Sequence, residues 1–347
     1  MTDLPTEEDI AQFAPFNDKF VLIERIGEGT FSTVFKAKDI RLGHKNARTV
    51  AIKMVTRTTS PMRICEELNF LKLVREEENI IHILYVERFE DQIIIVFPLV
   101  EYTDFREFLE VSTLEDIKWY MYNLLLAIKN THKYNIIHRD LKPSNFLYNK
   151  NGKKGVLIDF GLAEHEKSVK THIDQEEKKK TTSFFRNSLS RNLKPPGFYM
   201  DDARPPLKAP RAGTRGFRAP EVLFKVHHQT KKIDIWCAGI IFLILLTKRY
   251  PFFAGADDLD ASVELATIFG IREMKKAAKY YERTFKTNLD TVPMERISFE
   301  QIVGSLNPGF EVGFEAFDLL YMLLDLYAEK RITAECALNH PFFANMQ

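Results

Sequence analysis

The stretch that decides the fold is His138-Arg139-Asp140-Leu141-Lys142-Pro143-Ser144-Asn145, followed downstream by Asp159-Phe160-Gly161. Its residue types suit phosphoryl transfer. That reaction asks little covalent chemistry of a protein; it needs charge neutralised and atoms aligned. A carboxylate at Asp140 can orient a hydroxyl and accept its proton. An ammonium at Lys142 can neutralise a γ-phosphate. Asn145 offers a neutral oxygen and Asp159 a charged one to a hard cation such as Mg²⁺, which keeps waters and phosphates in its remaining positions. Singly, His138 or Asp159 is ordinary. Together and in this order they point to ATP and Mg²⁺ as the reagents.

Upstream, residues 20–55 alternate apolar and polar side chains and reverse at glycine. Phe20-Val21-Leu22-Ile23, Val34-Phe35-Lys36-Ala37 and Val50-Ala51-Ile52-Lys53-Met54-Val55 read as antiparallel strands. Between the first two lies Ile26-Gly27-Glu28-Gly29-Thr30-Phe31-Ser32-Thr33-Val34. Phosphates need close backbone approach and free N–H groups, and glycine permits both. Ser32 stands where a third glycine of G-x-G-x-x-G is usual. By itself a hairpin with two glycines is weak evidence; its place between two strands strengthens it. Lys53 sits on an otherwise apolar strand and should not face a core unpaired. It reads either as a cation for the α/β-phosphates held by a carboxylate, or as an edge lysine with its head in water. Residues 61–75 have helical spacing (Ile64, Leu68, Leu71, Val74), and Glu67 on that helix is the expected partner of Lys53. Two further strands are expected at Ile83–Phe89 and Gln92–Phe97, with Pro98 ending the sheet.

From Thr103 the pattern turns helical. Helices are expected at Leu114–Tyr134, Ile233–Leu246, Leu259–Phe269, Arg272–Thr284, Phe314–Tyr327 and Thr333–Leu338, with a short strand at Val156–Ile158. The Ile233–Leu246 run reads as a helix buried on all sides, too short for the ~20 residues of a membrane span. Downstream of the catalytic stretch come Gly213-Thr214-Arg215-Gly216-Phe217-Arg218-Ala219-Pro220-Glu221. Glu221 needs a buried cation, for which Arg331 is the candidate. Asp234 opens the buried helix and should brace the catalytic loop backbone.

Residues 165–208 break this order. They carry Glu176-Glu177-Lys178-Lys179-Lys180, several Ser and Thr residues and two Pro-Pro pairs, without apolar periodicity. They read as a long solvated insertion; a nuclear-localisation signal is the sharper alternative for the lysine run.

The bulk composition sets outer bounds. The chain has 347 residues, 45% of them hydrophobic, enough for two lobes sharing a cleft. A formal net charge of +1 gives no global reason to expect nucleic-acid or anionic-membrane binding. The three cysteines, Cys65, Cys237 and Cys336, have no CxxC spacing, so neither a disulfide framework nor a zinc site is expected. The acidic N-terminus lacks a signal-peptide pattern, and a reducing compartment is expected.

With Gly27, Gly29, Lys53, Glu67, the 138–145 loop, Asp159, Glu221, Asp234 and Arg331 in order, the chain resembles a eukaryotic protein kinase from about residue 20 to 343. The resemblance implies an α+β, bilobal fold. A 1–19 extension precedes a small antiparallel-sheet lobe with one helix at 20–97. A hinge at 98–101 then leads into a larger, mostly helical lobe at 102–347. It implies that Lys142 marks the Ser/Thr branch. It also implies an ATP site formed by Ile26, Gly27, Gly29, Ser32, Val34, Ala51, Lys53, Phe97, Val100 and Leu147. In that site Phe97 guards the inner pocket, Val100 reads adenine through its backbone and Leu147 lies beneath the ring.

A narrower resemblance rests on the glycine loop, Arg63-Ile64 with Glu67-Leu68, Pro143-Ser144-Asn145-Phe146-Leu147-Tyr148 and Arg211-Ala212-Gly213-Thr214-Arg215-Gly216-Phe217-Arg218-Ala219-Pro220-Glu221. These are similar to the cell-division-cycle-seven family of kinases. That resemblance implies a regulatory activator subunit, nuclear location, replicative-helicase substrates and target Ser/Thr residues followed by Asp, Glu or phosphoserine. It implies no direct nucleic-acid or membrane contact. The family's long inserts are short here, which leaves the partner-docking surface open. Independently, Arg211, Arg215 and Arg218 cluster around Thr214, and guanidiniums suit carboxylate or phosphate recognition. The plainer alternative pairs one or two of them with internal carboxylates, Arg218 with Glu221 in particular. Thr214 is expected to hydrogen-bond Asp140 rather than to be a modification site. The competing readings are a constitutively active casein-kinase-type enzyme, a catalytically dead scaffold and a small-molecule phosphotransferase. The scaffold sits poorly with the retained Lys53, Asp140 and Asp159.

Overall fold

The computed structural model describes residues 3–29, 31–166, 213–344 and 346. Its first part is a five-stranded antiparallel sheet in the order β1-β2-β3-β5-β4. The strands are β1 (Phe20–Gly29), β2 (Ser32–Asp39), β3 (Arg48–Val55), β4 (Tyr85–Phe89) and β5 (Gln92–Pro98). The period-two pattern of β3 assigns its faces. Val50, Ile52 and Met54 point to one side and join Phe20, Phe35, Ala37, Ile94 and Val96 in a buried cluster. Ala51, Lys53 and Val55 point to the other. There Val55 and Ile95 pack with Ile64 of α2 (Pro61–Leu73), and Leu68 and Phe97 close that cluster. Lys53 therefore lies on the helix side of the sheet.

Residues 1–19, set apart in the sequence as an extension, supply part of the first core. Helix α1 (Glu7–Phe13) begins at a capping box between Thr6 and Asp9, which satisfies two backbone donors reciprocally. Phe13 and Phe16 are buried on the outer face of the sheet. Arg25 reaches back to Asp9 at 3.5 Å. Composition alone hid this, because two phenylalanines in a short acidic segment have no period to report.

The second part is built on α4 (Leu114–His132), reached through α3 (Phe105–Val111), and on the helix Lys232–Thr247. The latter is buried along almost its whole length, as its unbroken apolar run requires. Two small hairpin-like pairings carry the functional loops. β6 (Ile136–Ile137) pairs with β9 (Glu164–His165), and β7 (Phe146–Asn149) pairs with β8 (Lys154–Leu157). Among the described residues no helix is long and apolar enough to cross a membrane.

Several boundaries differ from the sequence expectation. The strand placed at Ile83 starts at Tyr85, and Pro98 is the last residue of β5, paired with Val50. The helices expected at Leu259–Phe269 and Arg272–Thr284 are found as two helical segments within Asp258–Tyr280, separated at Gly270, whose backbone is not helical. Gly270 has φ +77°, and a Cβ there would lie 2.5 Å from the Glu295 carbonyl carbon, so only glycine fits. The helix Phe299–Leu306, with a Ser298/Gln301 capping box, had no sequence counterpart. Two residues counted in the insertion expected at 165–208 belong to the described fold: His165 is part of β9, and Glu166 accepts a hydrogen bond from the Lys231 N–H at 3.0 Å. Positions 167–208 lie outside the described residues.

Candidate active site

The catalytic loop is fixed from below by one carboxylate. Asp234, fully buried in the first turn of the Lys232–Thr247 helix, accepts from the backbone N–H groups of His138 (2.8 Å) and Arg139 (2.9 Å). Its Oδ2 also meets His132 Nε2 at 2.9 Å. Burial works to raise the Asp234 carboxyl, but His132 and the backbone donors outweigh it and hold the group below the ordinary carboxylate value. This brace supports a strained backbone: Arg139 adopts φ +69°, which costs energy for a side chain of its size. The Arg139 guanidinium is turned away from the cleft, onto Glu164 and Gln229.

Asp140 is the most heavily tethered group in the cleft. Its Oδ1 accepts from the Thr214 N–H (2.8 Å) and the Thr214 hydroxyl (2.7 Å). Its Oδ2 lies 2.9 Å from Lys142 Nζ and 3.1 Å from Asn145 Nδ2. Burial pushes this carboxyl up, but the hydrogen bonds from Lys142 and Thr214 prevail, and its pKa lies below the ordinary value. It is thus a carboxylate at neutral pH, able to accept a proton only from a partner aligned with it. Thr214 is delivered by Gly213, whose φ is +102° and whose missing Cβ would sit 2.6 Å from the Arg139 carbonyl oxygen.

On the opposite wall Lys53 Nζ bridges Glu67 Oε1 at 2.6 Å and Asp159 Oδ1 at 2.9 Å. Of the two readings open for Lys53, the one with a carboxylate partner is the geometry found. Burial disfavours its charge, the two carboxylates more than restore it, and its pKa is raised. Asp159 is held low in turn, chiefly by Lys53 acting against burial. Its backbone is left-handed, φ +63°, a conformation Asp tolerates better than most residues.

The glycine loop is the β1–β2 hairpin, with Gly27 opposite Val34 and Gly29 opposite Ser32. Ile26 is exposed, and Val34, Ala51, Phe97, Val100 and Leu147 are half-buried. Ala51 pairs with Phe97 across β3 and β5. On β7, Phe146 and Tyr148 are buried while Leu147 between them is less so, as the alternation of a strand dictates. These are apolar side chains that leave surface for a flat ligand.

The downstream arginines separate. Glu221 and Arg331 form a buried two-bond pair at 2.8 and 3.0 Å. Arg218 does not pair with Glu221. Its Nε donates to the Gly213 carbonyl at 2.9 Å and its Nη1 meets Asp258 Oδ1 at 2.5 Å. Arg215 is exposed and donates to the Ala256 carbonyl. Arg211 lies outside the described residues. The sequence did not offer Asp258, because its partner is distant in the chain. Nor did it single out His132; Arg63, one helical turn before Glu67, entered only as part of a family motif and without a contact, although the i, i+4 spacing on α2 was an available signal.

The donor set fits a hard divalent cation. Asn145 turns its amide nitrogen onto Asp140, donating to its carbonyl oxygen at 2.8 Å as well as to its carboxylate. That orientation presents Oδ1 as the ligand atom. The Asp159 side chain is 46% exposed despite its bond to Lys53, so one of its oxygens remains accessible. One amide and one carboxylate oxygen match a cation that completes its shell with phosphates and water. Among the described residues no group of three or more His, Cys, Asp or Glu side chains forms an alternative metal cluster.

Comparison with known proteins agrees with this geometry. Residues 20–343 match the family described as protein kinase domain. The chain is 52% identical to the probable cell division control protein 7 homolog 2 of Encephalitozoon cuniculi, over 98% of this chain and 96% of that one. It is 38% identical to the cell cycle serine/threonine-protein kinase hsk1 of Schizosaccharomyces pombe, over 95% of this chain and 73% of that one. It is 28% identical to the human cell division cycle 7-related protein kinase, over 94% of this chain and 90% of that one.

Proposed function

The chain belongs to the protein kinase family, as a serine/threonine kinase of the cell division cycle 7 kind, and from that premise we propose a partner-activated enzyme that phosphorylates Ser or Thr in acidic sequence contexts to start DNA replication. The observation that carries the chemistry is the fourfold tether on Asp140 opposite the Lys53–Glu67–Asp159 bridge. Asp140 orients the substrate hydroxyl and takes its proton. Lys142, already 3.0 Å from the Thr214 hydroxyl, neutralises the γ-phosphate as it transfers. Lys53 holds the α/β-phosphates. Ile26, Gly27, Gly29, Ser32, Val34, Ala51, Phe97, Val100 and Leu147 enclose the nucleotide. Asn145 and Asp159 would hold Mg²⁺, which would supply charge neutralisation for the phosphates. Glu221, Asp234 and Arg331 keep the platform rigid.

For the acidic context, the supporting feature is Arg215, which is exposed, directly follows Thr214 and donates to the Ala256 carbonyl; its guanidinium is the group proposed to meet an acidic residue after the phosphoacceptor. Arg218 acts through the loop it fastens to Asp258. The proposal includes a regulatory subunit, replicative-helicase substrates and nuclear location; what supports these is the resemblance of the chain's motifs to the cell-division-cycle-seven family. A second reading has one observation in its favour: the Lys53–Glu67 pair forms within this chain, as a constitutively active casein-kinase-type enzyme requires. Assaying the purified chain alone, and with proteins that co-purify with it, on paired peptides separates the two. The proposal expects little turnover alone, strong stimulation by one stoichiometric partner, and preference for Asp or Glu after the acceptor that Arg215→Ala abolishes. Full turnover without partner supports the second reading. Equal use of acidic and neutral peptides removes the specificity.

A further inference from the structure

The tip of the glycine loop is exposed, and the Arg63 side chain links it to the Asp159–Gly161 turn. Phe31 has 43% of its surface exposed. Its carbonyl accepts from the Thr56 N–H at 2.9 Å, which fixes the backbone and leaves the ring projecting. The Arg63 guanidinium lies over that ring, 4.1 Å from its centroid, within cation–π range. The same guanidinium donates through Nε to the Gly161 carbonyl at 3.1 Å. Gly161 abuts both the carboxylate of Asp159 and that of Glu67, since a Cβ there would lie 3.2 and 3.5 Å from them. Arg63 and Glu67 stand one turn apart on α2, so a single helix face contacts the loop tip, the Asp159–Gly161 turn and, through Glu67, Lys53. On the function proposed above, on which this inference rests, all three are elements that handle phosphates.

We propose that Arg63 is a positioning residue that fastens the glycine-loop tip, through Phe31, to the Asp159–Gly161 turn and so sets how tightly the phosphates of ATP are enclosed. Ser32 in place of a third glycine makes the loop less pliant, and a tether at its tip then governs its closed position. The adenine end of the cleft, bounded by Ala51, Phe97 and Leu147, lies apart from this contact.

The test reads binding, so it does not depend on activation by a partner. Dissociation constants for ATP with Mg²⁺ and for adenosine are measured on the full chain, for wild type, Phe31→Ala, Arg63→Ala, Arg63→Lys and the Phe31→Ala/Arg63→Ala double variant. Each alanine variant is expected to weaken ATP about fivefold, the scale of one exposed cation–π contact, while adenosine changes less than about twofold. The double variant should be no weaker than the worse single one, because both remove one coupled contact. Arg63→Lys should recover part of the affinity. Unchanged ATP affinity in Phe31→Ala overturns the proposal, as does a double variant whose loss is the product of the single losses. Equal weakening of ATP and adenosine also overturns it, since that outcome marks a general disturbance of α2. Phe31 is exposed, so its variant folds and decides the matter even where Arg63→Ala does not.

Discussion

The catalytic loop and the glycine loop face the same phosphates and are held in opposite ways. Asp140 is 7% exposed and Asp234 beneath it is fully buried, and between them they make most of the hydrogen bonds that define the cleft floor. Ile26 and Phe31 on the glycine loop are 40% and 43% exposed. The described tip is held by the Thr56 bond, a longer Thr59 bond and the ring contact with Arg63. A group that must align a hydroxyl gains from being over-determined, since small misplacements cost rate. A cover that must admit ATP and release ADP gains from a contact that breaks cheaply. Burial, more than which lobe a residue belongs to, divides the two behaviours.

Lys53 gives the largest way to break that division, because it sits in the sheet lobe yet is buried and doubly paired. Lys53→Ala is expected to lower kcat/KM by about 10²- to 10³-fold, the scale of removing one preorganised charge from a site, with the fold kept as judged by circular dichroism. A loss under tenfold places it with the adjustable elements instead. Glu221→Gln comes next. It strands Arg331 without its buried partner and is expected to cost about 3 kcal/mol of stability in urea unfolding.

Asp234→Asn probes the floor itself, with an expected loss of about 2 kcal/mol from weakened charged hydrogen bonds. Its pH dependence follows from the depressed folded pKa of Asp234. The contribution is fully present above the unfolded value of about 3.9. It is lost as pH falls through the lower folded value. The stability gap between wild type and Asp234→Asn should therefore be flat from neutral pH to about pH 5 and shrink only at strongly acid pH. Thr214→Ala removes one of the bonds on Asp140 and is expected to slow transfer about tenfold, the worth of a hydrogen bond to a charge. Smallest of all, Phe31→Ala should cost no more than about 1 kcal/mol in unfolding, the scale of one exposed cation–π contact. A larger loss would make the loop tip structural and erase the contrast.

Much of the floor was legible in the sequence because its chemistry is local. His138 to Asn145 and Asp159 lie on short loops, and a lysine on the otherwise apolar β3 already asked for a partner or for water. Glu67 and Arg331 could be named because a buried charge demands a partner and few candidates existed. The partner of Arg218 was not legible: the plainer alternative paired it with Glu221, which Arg331 holds, and Asp258 lies 40 residues away with no local signal to connect it. Phe13 and Phe16 escaped because two aromatic residues have no period. The break at Gly270 was legible, because the two helices it separates each have their own apolar period. Arg63 escaped because its meaning lies in Phe31 and Gly161, which only the folded chain brings to it.

The most direct test is the single-turnover rate of γ-phosphate transfer to a Ser peptide at saturating ATP, comparing Asp140→Ala with Phe31→Ala in the most active preparation of the chain. The expectation is a loss of about 10³-fold for Asp140→Ala, the range of a positioned proton acceptor, and a rate within about twofold of wild type for Phe31→Ala once the site is filled. Transfer by Asp140→Ala at the wild-type rate would contradict the account.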